Sequence, residues 1–242
     1  MKIEILLFLC LSLMHIFSEG MSAHTLKAKV ISGKSNDVDQ IKDSFVYTPD
    51  ARPFGKSYPE WIQQSWERVY SLRCEDIAGV YQTIELDEHL SLFMCEMVDT
   101  ILAISWPKEK AIMLRMGGVA VTYPCPDSSF QPVAGQSLET FIHNRVDTII
   151  NMININEITL DGKVITNMQD FRFVSNLFNI TGNTELAGCF DECITGNPQP
   201  CVTGGYCIIF KEMSPGKHTL NRGGEIPSIG LKWHQTIHLI VE

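Results

Sequence analysis

The sequence lacks the common short signatures of catalysis and of metal binding. It has no Gly-x-Ser-x-Gly motif, because the nearest pattern, which starts at Gly135, has no second glycine. Its Gly-Gly pairs at Gly117 and Gly223 lack the strand-to-helix setting of phosphate-binding loops. The cysteines lack the paired C-x2-C spacing of zinc ribbons. We therefore predict neither a cofactor nor a metal ion, and the sequence leaves open whether the protein is an enzyme.

Positive charge is also scarce. The chain has 19 lysines and arginines against 28 acidic residues, which gives a formal charge of −9. Such a chain is repelled by nucleic acid and by anionic membrane surfaces, so we exclude both as partners. The acidic residues are dispersed along the sequence and indicate no particular partner.

Long apolar runs are absent beyond the N-terminus. One run covers residues 5–17, after Lys2 and before the small residues that end at Gly20. This pattern is typical of a secretory signal peptide, which we place at residues 1–20. No later stretch approaches the roughly 20 apolar residues that cross a bilayer. The sequence predicts a secreted, extracellular protein without a membrane span.

Cysteine is plentiful. One of the eight, Cys10, falls in the predicted signal peptide, and seven remain: Cys74, Cys95, Cys125, Cys189, Cys193, Cys201 and Cys207. In an oxidising compartment this count predicts up to three disulfides and one odd thiol. We expect a cysteine-rich loop at residues 188–207 that depends on its bridges. The odd cysteine has two alternatives: a buried thiol, or an intermolecular disulfide.

An amphipathic helix is the clearest element. In residues 54–70, Ser57 and Glu60 form the pattern of a capping box, with Pro59 in the first turn. At 100° per residue, the aromatic and aliphatic side chains share one half of the helix wheel. A face with four aromatic residues needs a large apolar partner, most simply a sheet.

Most of the remaining pattern indicates strands. Apolar runs at 80–86, 100–106, 111–114, 119–123, 206–210 and 236–241 favour strands, and Asp161-Gly162 favours a tight hairpin turn. A second helix is predicted after Ser137. We expect a polar lead-in at 21–52, with an edge strand near 26–31, and one β-rich domain at 53–242. The predicted fold class is mainly β (α+β): a β-sandwich or jelly-roll-like domain with one or two packed amphipathic helices.

A family resemblance follows from two motifs. Residues 55–61 read Gly-Lys-Ser-Tyr-Pro-Glu-Trp and are followed by Trp66, and residues 214–219 read Ser-Pro-Gly-Lys-His-Thr. Together they resemble a family of secreted, mostly prokaryotic proteins of uncharacterised function. The resemblance spans roughly residues 53–241, and it departs from the family pattern at Pro59 and Glu109. It implies a single mixed domain with a sandwich-like core, and it implies no activity.

The two motifs also supply the candidate site. If they meet in space, Glu60 and His218 are candidates for acid–base catalysis, and Lys56 and Lys217 for binding an anion. The alternative is that Glu60 caps its helix and His218 bonds a loop carbonyl. Trp61 and Trp66 are candidates either for a binding platform or for the core. His234 and His238 share one strand face too far apart to chelate a metal.

Two functional hypotheses result. The first is a secreted, disulfide-stabilised binding or structural module of the extracellular space, with an unknown extracellular ligand or matrix partner. The second is an extracellular hydrolase or oxidoreductase whose site lies where the two motifs meet. Asn179 opens an Asn-Ile-Thr sequon, so we also predict a glycosylation site there.

Overall fold

The computed structural model describes residues 45–242 as a β-rich α+β fold, which confirms the predicted fold class. The signal peptide and the strand expected near 26–31 lie outside the described residues. The helices are α1 (Tyr58–Tyr70) and α2 (Leu138–Ile150). The described strands are β1 (Tyr81–Glu85), β2 (Leu90–Cys95), β3 (Thr100–Trp106), β4 (Ala111–Thr122), β5 (Asn154–Leu160), β6 (Lys163–Val164), β7 (Arg172–Val174), β8 (Phe178–Ile180), β9 (Gln199–Phe210), β10 (Gly216–Ile226) and β11 (Leu231–Val241).

The strands form two sheets. The first has the order β1-β2-β4-β9-β7, with β8 also paired to β9, and the second has the order β3-β11-β10-β5-β6. The pairs β2–β4 and β3–β11 are parallel, whereas the other pairs are antiparallel. One continuous hydrophobic core joins both sheets and both helices. The edge strands are β1 and β7 in the first sheet and β3 and β6 in the second.

Helix α1 forms as predicted. The backbone N–H of Ser57 donates to Glu60 at 2.6 Å, which satisfies one of the free donors at the helix start. Every residue of the predicted apolar face is buried: Tyr58, Trp61, Ile62, Trp66, Val69 and Tyr70. Tyr58 also anchors the helix to β9, because its hydroxyl accepts the Ile209 N–H at 3.2 Å. The amphipathic pattern therefore does position the helix against a sheet.

Helices α1 and α2 cover opposite faces of the first sheet. The Arg115 guanidinium lies 4.0 Å from the ring centroid of Trp66 on α1, and Arg115 pairs with Cys207 across β4 and β9. A Cβ atom on Gly204 would meet Val146 and Ile150 of α2 at 2.9 and 2.6 Å. Side chains at positions 204 and 207 of a strand point to opposite faces of its sheet. The two helices that contact these positions therefore lie on opposite faces of the first sheet. Strand β9 is buried along nearly its whole length as a result.

Arg222 joins the second sheet to the first. Its side chain is 1% exposed, and it donates to the backbone carbonyls of Arg115 at 2.8 Å and Cys95 at 3.0 Å. It also bonds Gln235 on the neighbouring strand β11. Among the described residues no carboxylate forms an ion pair with it, and burial lowers its pKa to about 10. The contact between the sheets thus includes a buried cation that backbone carbonyls solvate.

Three sequence expectations need correction. The predicted cysteine-rich loop at 188–207 ends early, because residues 199–207 belong to β9 in the middle of the first sheet. The Gly117-Gly118 pair does not divide two strands; β4 continues through it with an irregular register. Part of the predicted lead-in is ordered, since Val46 pairs with Phe210 of β9. The sequence also gave no signal for β10, whose glycines resemble turn residues.

No helix within residues 45–242 is both long enough and apolar enough to span a membrane.

The contact between α2 and β9 gives a first prediction. Gly204→Ala should lower the free energy of unfolding by about 1–3 kcal/mol, because the new methyl group has no space beside Val146 and Ile150. Urea denaturation followed by circular dichroism measures the change. Gly188→Ala is the matched control, since no atom lies within 4 Å of its added Cβ. Equal stability of the two variants would contradict the assigned packing.

Candidate functional site

One oxygen of the Glu60 carboxylate, Oε2, makes several bonds at the start of α1. It accepts hydrogen bonds from the Ser57 backbone N–H and hydroxyl, both at 2.6 Å, and it pairs with Arg52 at 2.9 Å. The Ser57 hydroxyl and amide, with a further contribution from Arg52, hold the pKa of Glu60 below its usual range. A carboxylate that stays ionised and capped is a poor proton donor or acceptor near neutral pH. The geometry supports the capping alternative.

The other candidates near α1 also have structural contacts. Lys56 bonds the side chain of Gln64, and its Nζ lies 4.5 Å from the ring centroid of Trp61. Trp61 has no exposed surface, and its indole N–H donates to the Pro53 carbonyl at 2.9 Å. Trp66 is 6% exposed. Neither tryptophan offers an open face to a ligand, and both belong to the hydrophobic core.

His218 links two turns at one end of the second sheet. Its Nδ1 lies 2.7 Å from Asp161 Oδ2, and its Nε2 lies 2.8 Å from the Ser214 carbonyl. Both partners are acceptors, so both ring nitrogens donate only in the protonated imidazolium. The bond to Asp161 raises the pKa of His218 above its ordinary value of 6.5, against the opposing effect of partial burial. Neither nitrogen has a lone pair available to act as a base in this arrangement.

Asp161 is the second half of this link. It begins the β5–β6 turn, where it and Gly162 both have positive φ, 52° and 77°, as the predicted type I′ turn requires. Its Oδ1 accepts the Thr219 amide at 2.8 Å. Partial burial raises the pKa of Asp161, but the bonds from His218 and Thr219 outweigh it, and the pKa lies below 3.8. The sequence identified this turn but not its connection to His218.

The two motifs form no joint site through these contacts. Helix α1 packs on β7 and β9 of the first sheet, whereas Lys217 and His218 belong to β10 of the second sheet. Among the described residues, no hydrogen bond or ion pair connects Lys56 or Glu60 with either of them. Lys217 is exposed beside the His218 turn. The enzyme alternative therefore stays a prediction that no contact supports.

The cysteines form two bridges, within the predicted maximum of three. Among residues 45–242 the disulfides are Cys74–Cys189 and Cys125–Cys193, and three thiols are free: Cys95, Cys201 and Cys207. Cys201 and Cys207 are buried in β9, where burial raises the pKa of both thiols. Cys95 is half-buried, and its sulfur accepts a hydrogen bond from Gln235 at 3.2 Å. Three free thiols stand in place of the one odd thiol expected, because Cys201 and Cys207 are core residues of a strand.

The remaining polar candidates lie on exposed strand faces. Asn179 is exposed on the short strand β8, and its sequon partner Thr181 is exposed as well. His234 lies 3.5 Å from Glu157, and His238 lies 3.4 Å from the Thr219 hydroxyl. Both histidines are exposed on β11, as their strand spacing predicted.

Sequence reasoning missed a groove between the two sheets. It has a volume of about 820 Å³ and is lined by residues 78–83, which include most of β1, and by residues 102–105 of β3. We call this feature the edge groove. It brings together an edge strand from each sheet, which a pattern within either strand does not reveal.

The cysteine assignment predicts a thiol count. After unfolding without reduction, the protein without its signal peptide should present three thiols to an aromatic disulfide reagent, and the folded protein should present Cys95 alone. Absorbance of the released thiolate measures both values. Cys95→Ser should leave two thiols after unfolding and none before it. A single thiol after unfolding would instead support the three bridges expected from the sequence.

The His218–Asp161 link predicts a pH dependence. Because the pKa of folded His218 is raised, its contribution to stability is complete below pH 6.5 and is lost as the pH rises through the folded pKa. Because the pKa of folded Asp161 is lowered, its contribution is complete above pH 3.8 and is lost as the pH falls through the folded pKa. The stability difference between the wild type and His218→Gln should therefore be largest between these values.

Urea denaturation from pH 3 to pH 9 measures this difference. His238→Gln is the control, since that exposed histidine has only the 3.4 Å contact with Thr219. A difference that stays constant across the range would show that the imidazolium link does not contribute.

Comparisons with known proteins add little to this description. The chain matches no protein-family model, and it matches no curated protein sequence. A chain of the solved structure "Structure of PbICP-C in complex with falcipain-2" matches with 10% identity and a TM-score of 0.21. The match covers 64% of this chain and 99% of that chain. A TM-score this low carries no argument about fold or function.

Proposed function

We propose that the protein is a secreted, disulfide-stabilised module that acts by binding an extracellular ligand or matrix component. The observation that carries the proposal is the engagement of both catalytic candidates in structural bonds. Glu60 caps α1, and both nitrogens of His218 are bonded to protein oxygens. The predicted signal peptide and the two disulfides support export, since disulfides persist in oxidising compartments.

The same proposal includes the finer expectations from the sequence. We propose that the chain belongs to the secreted family that its two motifs resemble, and that Asn179 carries a glycan where the source cell supplies one. An intermolecular disulfide would use Cys95, because the other two free thiols are buried. These features suit a protein that works outside the cell through its surface.

Substitutions at the two candidate residues test the proposal. Glu60→Gln and His218→Ala should each lower the melting temperature, because each removes a charge-assisted bond that holds a helix start or a turn. We expect the wild type to show no turnover of ester, glycoside, peptide or redox substrates. The two variants should then give the same result in this substrate panel. Differential scanning fluorimetry and the substrate panel provide the two measurements.

Two controls sharpen this test. Arg68→Lys changes an exposed α1 residue outside the capping box and keeps its charge, and His238→Ala removes an exposed histidine from the neighbouring strand; neither should change the melting temperature by a comparable amount. The proposal is overturned by a wild-type activity that Glu60→Gln and His218→Ala both abolish while the variants remain folded.

A further inference from the structure

The edge groove brings two unpaired strand edges to one side of the molecule. Strand β1 ends the first sheet and β3 ends the second, and the groove runs between them. Within residues 45–242 each strand pairs with one neighbour, so the other edge of each offers backbone donors and acceptors that no described strand uses. An edge of this kind is a template for one more strand.

These edges lack the usual protection against strand addition. Natural sheets guard their edges with charged side chains, proline or very short strands. None of the described residues that line the edge groove is charged or a proline. The opposite edges are short, because β6 has two residues and β7 and β8 have three each. Strand β3, with seven residues, is the longest of the edge strands in the described chain.

The groove also gathers exposed apolar surface. Two of the seven large hydrophobic residues that are exposed in the described chain line it, Val80 and Tyr81, and a third, Ile101, lies on β3 next to the lining residue Leu102. Ile101 is 75% exposed, whereas Ile104 on the inward face of β3 is 7% exposed. An added strand would cover apolar side chains from both walls. Exposed apolar surface of this extent marks interaction sites more often than solvated surface.

Charge selects the kind of strand that fits. The stretch from Arg73 to Trp106, which contains both edges, has seven acidic residues and one arginine, a formal charge of −6 within the chain's −9. Asp99, just before β3, is exposed, and its carboxylate accepts the His234 amide at 2.8 Å, whereas Glu85, at the end of β1, is exposed but paired with Lys110 at 2.6 Å. The lining of the groove is uncharged, and the charge of the surrounding stretch is acidic on balance. A basic partner is attracted to this surface, and an acidic one is repelled.

We propose that the edge groove binds an extended peptide segment of a partner protein, with alternating apolar and basic residues, which adds to β3 as a further strand. Backbone hydrogen bonds to β3 provide affinity, the apolar residues cover the groove, and the basic residues face the surrounding acids. This inference rests on the proposed binding function and names the class of partner.

A fluorescent peptide of alternating valine and lysine tests the proposal with the full secreted chain. Fluorescence anisotropy at low ionic strength should show saturable binding that weakens as salt is added. The same peptide with glutamate in place of lysine should bind at least about tenfold more weakly, because like charges then face each other. The lysine peptide with its valine amides methylated should also lose binding, because it cannot donate to β3.

Matched variants locate the site. Thr83 and Ser105 are exposed residues on the two walls. Thr83→Lys and Ser105→Lys should each weaken binding of the lysine peptide about tenfold, whereas Thr83→Asp and Ser105→Asp should retain it or strengthen it. Val164→Lys changes an exposed apolar residue on the opposite edge strand β6 and should have no effect. Circular dichroism confirms that each variant is folded.

Several results would overturn the proposal. These are absence of binding, equal binding of the glutamate peptide, or binding that Val164→Lys weakens as much as Thr83→Lys does. A dimer in light scattering that Ile101→Lys dissociates would show that a second copy occupies the groove. In each case the separate tests of Glu60 and His218 still decide the proposed function. Failure of the edge-groove proposal is therefore distinguishable from failure of the proposed binding function.

Discussion

Burial of β9 on both faces is the constraint on which most of the fold depends. The strand pairs with β4, β7 and β8, and side-chain hydroxyls accept further backbone N–H groups, as Tyr58 does from Ile209. Its two faces need apolar cover, which α1 supplies on the Cys207 side and α2 on the Gly204 side. The side chain is minimal at Gly204 because α2 approaches the strand there. The need for apolar cover on both faces of β9 accounts for three features of the sequence: the aromatic face of α1, the cysteines of β9 and the apolar stripe of α2.

The second sheet attaches through a polar contact as well as an apolar one. A buried guanidinium without a carboxylate partner is costly, so the carbonyls that solvate Arg222 must be held in place. Those carbonyls belong to Arg115 and Cys95 of the first sheet. The geometry of the two sheets is therefore more closely specified than hydrophobic contact alone would achieve, and the positions of edge strands β1 and β3 follow from it.

The positions of the two sequence motifs in the fold change how their polar residues are interpreted. Each motif stabilises the structure around it. The Ser57–Glu60 bonds cap the start of a helix, and the His218–Asp161 bonds connect two turns of the second sheet. Their charges are used within the fold and are not offered to a substrate. The features that remain available to a partner are backbone edges, exposed apolar side chains and the acidic surface around them. The proposed binding function rests on these features.

The sequence by itself determined the elements whose causes are local. Helix α1, its cap at Ser57, the turn at Asp161 and strand β3 each follow from neighbours within a few residues. Only the tertiary structure decided which cysteines pair, because pairing depends on which strands lie side by side. It also decided that the glycine-rich segment at residues 216–226 forms strand β10. The tertiary structure likewise decided that Asp161 is the partner of His218, 57 residues away. The edge groove belongs to this second class, since it exists only where two separate sheets end together.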